Sequence, residues 1–279
     1  MLGYSLFKNL SQHPDIDVFG TVRSNKNLLD SFSLKESKKL TIFDALDGEN
    51  KLNKILKEIK PDYVLNCIGL ISQKKSDHID VLKLNSVFPH ELAHQCTKNL
   101  TKLIHFSTDC VFNGFKGNYK EDDIPDANDI YGRSKLLGEI DYQKHLTIRT
   151  SIIGHEIKTN LNLVDWFLSE RDSVNGYTNA IFSGFPCCYI SEILIDHIFS
   201  NKEIKGVLHI SSEPISKFDL LSKIAHVYDK KIEILEDSDY KTDKTLNSNK
   251  FKLLSGFETP KWDDLINKMF EEYCKIHKN

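Results

Sequence analysis

Five short runs rich in apolar and β-branched residues recur through the first half of the chain, and segments of helical period separate them. They are "DIDVFGTVR" (15–23), "KLTIFDA" (39–45), "DYVLNCIG" (62–69), "KLIHFST" (102–108) and "LTIRTSIIG" (146–154). Between them, "NKLNKILKEIK" sets Leu52, Ile55, Leu56 and Ile59 on one helix face, and "VLKLNSVFPHELAHQC" reads as a longer helix containing Pro89. Strands that alternate with helices pair in parallel and need cover on both faces. The expected fold is therefore α/β, a doubly wound parallel sheet.

Past about residue 155 the pattern changes. Helical "NLVDWFLSE" leads into loop-rich "SVNGYTNAIFSGFP", followed by helix "YISEILIDHIF", strand "GVLHISS", helix "KFDLLSKIAHVY", strand "KIEILE" and a last amphipathic helix near "WDDLINKMFEEY". We expect residues 1–155 to form the main sheet, a segment at about 186–212 to return to it, and residues 156–279 to form mainly a smaller α/β lobe.

Several partner classes are disfavoured. With a net charge of -3 and scattered Lys residues, the 279-residue chain has no basic field for a nucleic acid. No window approaches the roughly 18 to 20 apolar residues that span a bilayer, and no signal peptide opens the chain, so we expect a cytoplasmic protein without a membrane partner. The six cysteines form no CxxC pair, and no metal site is expected.

A doubly wound sheet receives its ligand beyond the carboxyl ends of its strands. Those ends read Arg23, Asp44, "NCIG" (66–69), "STD" (107–109) and "RTSIIG" (149–154). Downstream lies "YGRSK", with Tyr131 and Lys135 four apart. On a helix both side chains share a face, where the ammonium can lower the phenol's pKa and let Tyr131 exchange a proton near neutral pH. Tyr4/Lys8 and Tyr240/Lys244 have the same spacing. Only Tyr131 follows a strand end across a polar loop and precedes a helix leading into the next strand.

With "FSTDCVFNG" (106–114), "NYKEDDIP" (118–125), "YGRSKLLGE" (131–139), "RTSIIG" (149–154) and "GVLHISSEPISKFDLL" (206–221), the chain resembles the extended short-chain dehydrogenase/reductase superfamily, and within it the dTDP-4-dehydrorhamnose reductase (RmlD-like) family. The resemblance covers essentially the whole chain. It implies an NAD(P)-binding Rossmann domain over 1–155 and a substrate-binding lobe beyond it. It also implies an oxidoreductase acting on a nucleotide-activated 4-keto-deoxysugar, used in making surface polysaccharide. Thr108 would hydrogen-bond the substrate carbonyl, Tyr131 would donate the proton, Lys135 would hold the nicotinamide ribose and bias the Tyr131 pKa, and Asp109 would touch the sugar. Dehydratases of the superfamily usually carry Asp-Glu after the Thr; Asp109-Cys110 argues for reduction instead.

Arg23 and Ser24 stand where an acidic residue would bind a ribose 2′-hydroxyl. A guanidinium there suits a 2′-phosphate, which favours NADPH, with NADH as the alternative. By family position Asp44 and Ala45 would border the adenine, and Cys67, Ile68 and Gly69 would pass under the dinucleotide. Asn85, polar within an apolar helix pattern, is expected to tie backbone.

The opening "MLGYSLFKNL" fits the end of a Gly-x-x-Gly-x-x-Gly turn, which places Met1, Leu2 and Gly3 at the pyrophosphate and leaves the first strand missing. On that reading the natural gene product extends roughly ten residues upstream, with an apolar strand before the turn, and the 279-residue chain binds dinucleotide weakly.

Two other functions fit the same residues. One is epimerisation of a similar sugar with the cofactor retained. The other is a non-catalytic subunit, because the regulatory β subunit of methionine adenosyltransferase is similar to this branch. Trp166, Tyr177, Asn179 and Phe185 stand as substrate contacts or core, and oligomeric state is open, a homodimer included.

Overall fold

The structure is a computed structural model, and it describes residues 1–23, 32–46, 48–71, 77–157 and 159–277. Thirteen strands and eleven α-helices are described. The strands are β1 (Gly20–Val22), β2 (Leu40–Ile42), β3 (Tyr63–Asn66), β4 (Lys102–Thr108), β5 (Leu146–Thr150), β6 (Ile152–Ile153), β7 (Ser173–Tyr177), β8 (Ala180–Phe182), β9 (Phe185–Pro186), β10 (Gly206–His209), β11 (Ile215–Ser216), β12 (Glu233–Asp237) and β13 (Thr242–Asp243). The helices are α1 (Leu2–Leu10), α2 (Leu34–Ser37), α3 (Glu49–Ile59), α4 (His78–Leu82), α5 (Phe88–Lys98), α6 (Ile130–Leu137), α7 (Leu163–Ser169), α8 (Cys187–Ile193), α9 (Lys217–Val227), α10 (Asn249–Ser255) and α11 (Trp262–His277).

The main sheet is parallel, in the order β10-β5-β4-β3, with Thr108 opposite Thr150 and His209 opposite Arg149. All seven residues of β4 are buried. Successive side chains of a strand point to opposite faces, and β4 shows the consequence. Leu103 joins a cluster with Leu52, Leu56, Phe88 and Leu92 from α3 and α5, whereas Ile104 and Phe106 join the larger core of α1, α8 and α11. Burial on both faces suits a strand whose apolar residues Leu103, Ile104 and Phe106 point to both sides, and Ser107 and Thr108 stand at its ligand end.

β1 pairs in parallel with β2 alone, and β3 with β4 alone. Among the described residues no strand bridges the two sheets. Helix α1 packs against α8 and buries Leu2, Leu6, Phe7 and Leu10.

The expected helix around Pro89 is three pieces. A π-helical segment, Lys83–Val87, joins α4 to α5 directly ahead of Pro89, whose missing N–H removes one bond from the helical ladder there. Asn85 lies in that π turn, wholly buried.

Sequence expected loops over 173–186, but β7, β8 and β9 lie there. Each pairs with a segment distant in sequence: β7 with β12, β8 with β11 and β13, and β9 with β6. These strands are only two to five residues long, and β7 contains Asn175 and Gly176, so partners supplied by the tertiary structure decide their state. No described helix is long and apolar enough to cross a membrane.

Candidate active site

The site forms where β4 ends and α6 begins. Thr108 closes β4 and caps the short turn Asp109–Val111: its hydroxyl accepts from the Cys110 N–H at 3.1 Å and donates to Asp109 Oδ1 at 3.1 Å. Asp129 caps α6 by accepting from the Gly132 N–H at 2.9 Å. Gly132 is required by close approach, because a Cβ there would stand 2.1 Å from the Cys110 carbonyl oxygen and 2.6 Å from Ala127 Cβ. Gly132→Ala should therefore push α6 off this turn, lower stability by about 1–3 kcal/mol, and slow turnover by displacing Tyr131. Unchanged thermal melting and rate would show that α6 yields without cost.

This packing brings the Tyr131 side chain beside Thr108. Burial raises the Tyr131 pKa well above its ordinary value; negative charge at Cys110 and Asp109 adds to the rise, and the Thr108 bond opposes it. Lys135 was expected to lower that pKa, but its ammonium turns the other way. It donates to the Phe106 carbonyl at 2.7 Å and lies 3.4 Å from His105 Nε2. Desolvation dominates both groups, keeping Tyr131 protonated and bringing Lys135 down to about 8, against the pull of Glu139 and Cys67.

Asn85 ties the loop after β3 to α6. Its side chain accepts from the Leu70 N–H at 2.8 Å, donates to the Leu70 carbonyl at 2.9 Å, and donates to Ser134 Oγ at 3.1 Å. A Cβ on Gly69 would be 3.4 Å from Asn85 Oδ1 and 3.9 Å from Lys135 Nζ, so this backbone runs beside the Lys135 ammonium. Ile68 N–H donates to Asn66 Oδ1 at 3.1 Å.

Met1 caps α1, and Gly3 in its first turn presses on Cys67, whose Cβ would be 3.3 Å from a Cβ on Gly3. Arg23 Nε and Asp44 Oδ2 pair at 2.9 Å across the ends of β1 and β2, with the Arg23 side chain 66% exposed. Asp44 also accepts from Leu46 N–H, and its pKa is lowered by that bond and by Arg23. Ala45 follows at once. Ser24 lies outside the described residues.

The four aromatic and amide candidates separate. Phe185 is fully buried against Tyr189 and Phe257, and Trp166 packs partly buried on the core. Tyr177 faces Tyr240 at 5.1 Å between ring centres, and Asn179 donates to the Ser238 carbonyl at 2.9 Å.

Sequence reading passed over two features. One is the buried pair Glu139–Arg149 behind Ser107; the other is a pair of lysines, Lys217 and Lys244, whose charges act on Asp109 and Cys110. The lysines come from far along the chain, and the only local signal was a Lys at a helix start, where acidic residues are favoured. Among the described residues no group of three or more His, Cys, Asp or Glu side chains could hold a metal ion.

A parallel sheet covered by helices, with Thr, Tyr and Lys gathered at a strand's carboxyl end, defines a Rossmann-like α/β protein. The chain belongs to the family described as RmlD substrate binding domain, which matches residues 1–275.

Among curated proteins it is 29% identical over 195 residues to a dTDP-4-dehydrorhamnose reductase of Aggregatibacter actinomycetemcomitans, covering 63% of this chain and 65% of that protein. It is 23% identical over 199 residues to methionine adenosyltransferase 2 subunit beta of Danio rerio, covering 64% and 60%. The chain thus spans just under two thirds of these relatives' length. The crystal structure of dTDP-4-dehydrorhamnose reductase from Bacillus anthracis str. Ames in complex with NADP superposes with a TM-score of 0.73 at 21% identity, over 91% of this chain and 98% of that one. At that identity the likeness concerns the fold.

Proposed function

We propose that this protein is an NAD(P)H-dependent reductase of a nucleotide-activated 4-keto-deoxysugar, working in deoxysugar synthesis for surface polysaccharide. The observation that carries this reading is the placing of Tyr131 beside Thr108 at the end of β4, with the enclosed Lys135 ammonium on the same helix.

The residues present fit a dinucleotide. Gly69 and Gly3 are close-approach positions along the path beside Lys135 and Cys67, and Arg23 offers a cation to a 2′-phosphate. Met1, Leu2, Gly3, Arg23, Ser24, Asp44, Ala45, Cys67, Ile68, Gly69, Tyr131 and Lys135 would hold it, with NADPH preferred over NADH. Bound, it supplies a hydride to the carbonyl carbon. Thr108 holds the carbonyl oxygen, Tyr131 passes its phenolic proton to that oxygen as charge develops, and Lys135 steadies the site through its charge. Asp109 contacts the sugar. A buried phenol with a raised pKa is a proton donor at every working pH, so these residues favour reduction.

A panel of nucleotide 4-ketosugars with NADPH and NADH, followed by loss of reduced cofactor and product analysis, tests this directly. Stoichiometric NADPH consumption with one ketosugar is expected; interconversion of isomers without net consumption would replace reduction by epimerisation. The likeness to the β subunit supports a second reading, a non-catalytic nucleotide-binding subunit, which no turnover with any sugar would favour.

The pH profile follows from Lys135. Its ammonium is charged below about 8 and neutral above. Turnover should be level through neutrality and fall as pH rises past about 8, because the proton donor Tyr131 remains protonated there while the cation is lost. A rate that climbs through the same range would contradict this assignment.

A further inference from the structure

β4 also sets an ionisable ring beside Lys135. His105 is fully buried, and its Nε2 lies 3.4 Å from Lys135 Nζ. Asn66, the last residue of β3 and directly opposite His105 in the sheet, holds the other side of the ring, with Nδ2 standing 3.0 Å from His105 Nδ1. The Asn66 oxygen is already taken by the Ile68 N–H at 3.1 Å, so the amide nitrogen is what faces the ring, and an amide nitrogen can only donate. His105 Nδ1 is therefore an unprotonated acceptor.

Burial holds His105 neutral, its pKa well below the ordinary value, and the charges of Lys135 and His90 push the same way. A neutral imidazole carries one N–H, so the proton sits on Nε2 and points at Lys135. An ammonium has no lone pair to receive it, whereas a neutral amine does. We propose that His105, aimed by Asn66, is a positioning residue for Lys135: its Nε2–H favours the neutral amine over the ammonium and so sets the pH at which the site loses its cation. The inference rests on reading Lys135 as the cation of the reducing centre.

Three groups pull the other way. The Phe106 carbonyl accepts from the ammonium at 2.7 Å, while Glu139, one turn on along α6, and Cys67, just after β3, favour its charge. Both of the last two are weakened: Glu139 is engaged by Arg149, and burial pushes the Cys67 thiol up to about 12. Tyr131, one turn back on the same helix, stays protonated and adds no charge.

Two measurements on the intact chain test this without substrate or turnover. Proton–nitrogen correlation spectra of the wild type, with the His105 ring assigned through its contact with the Lys135 side chain, should show a proton on Nε2 and none on Nδ1. Titration of Lys135 is followed by the carbon shift of its Cε, assigned by loss of that signal in Lys135→Met. It should move up by about half a pH unit or more in His105→Phe, which keeps a ring and removes both nitrogens. The alkaline fall in turnover should move up by the same amount. A His105 proton on Nδ1 would overturn the proposal, and the wild-type spectrum decides this whether or not the variant folds. So would a Lys135 titration that stays in place or drops in folded His105→Phe. A raised Lys135 titration with an unmoved alkaline fall would keep the assignment of His105 and sink the reading of Lys135 as the cation of a reducing centre.

Discussion

Tyr131→Phe is expected to lower kcat for ketosugar reduction by about 100- to 10,000-fold, the usual span for loss of a positioned proton donor. The substitution removes one oxygen. The ring stays packed, and Thr108 keeps its bonds to Cys110 N–H and Asp109, so the β4 turn should hold its geometry. NADPH affinity and thermal melting should stay near wild type, because the cofactor residues proposed here include Lys135, whose ammonium is held by the Phe106 carbonyl rather than by the phenol. The loss should appear in kcat and kcat/KM together, as for an interaction made in the transition state. Single-turnover oxidation of NADPH with the best ketosugar measures it. Less than a fivefold change would remove Tyr131 as the donor and revive the non-catalytic reading.

The second large effect belongs to Glu139→Ala. Glu139 Oε1 accepts from Arg149 Nε at 2.8 Å and from Ser107 Oγ at 2.6 Å, while Oε2 accepts from Arg149 Nη2 at 2.7 Å. The two side chains are only 7% and 6% exposed. Arg149 also lies over the Phe112 ring and meets His209 Nε2 at 3.2 Å. Burial and Arg149 together push His209 down to about 3, so it is neutral. With its Nδ1–H donating to the Tyr119 carbonyl at 2.9 Å, its Nε2 accepts from Arg149.

Removing Glu139 leaves a buried guanidinium with no carboxylate, which costs about 3–5 kcal/mol. Urea denaturation should show that loss at an unchanged m-value. A loss below about 1 kcal/mol would mean that Arg149 finds water or another acceptor. The same substitution reaches the site, since Glu139 charge supports the charged form of Lys135. The fall in turnover should then begin below pH 8.

Most of the site's residues could be read from local sequence because each sits where a local rule puts it. Thr108 ends a short strand recognisable by Leu103, Ile104 and Phe106, and Tyr131 and Lys135 share a helix face fixed by their spacing. Arg23 and Asp44 close neighbouring parallel strands, and the register Val22 opposite Ile42 brings their side chains to 2.9 Å. Asn85 stood out as a polar residue in an apolar pattern, and it proves to tie the loop after β3 to α6.

The electrostatics ran the other way from expectation. The spacing of Tyr131 and Lys135 suggested mutual influence, but how deeply a group is buried and which carbonyl an ammonium meets are properties of the packed molecule. Desolvation of Tyr131 and the Phe106 carbonyl beside Lys135 reverse the expected shift of the phenol.

The sequence by itself therefore determined the parallel α/β plan, the strand-end positions of Thr108, Arg23 and Asp44, and the shared face of Tyr131 and Lys135, since periodicity and spacing act over a few residues. Only the tertiary structure decided that β7, β8 and β9 are strands, that Glu139 and Arg149 meet behind Ser107, and that the Lys217 ammonium lies over the Phe182 ring. Those contacts join segments with no local preference for one another, and burial alone gives them their strength.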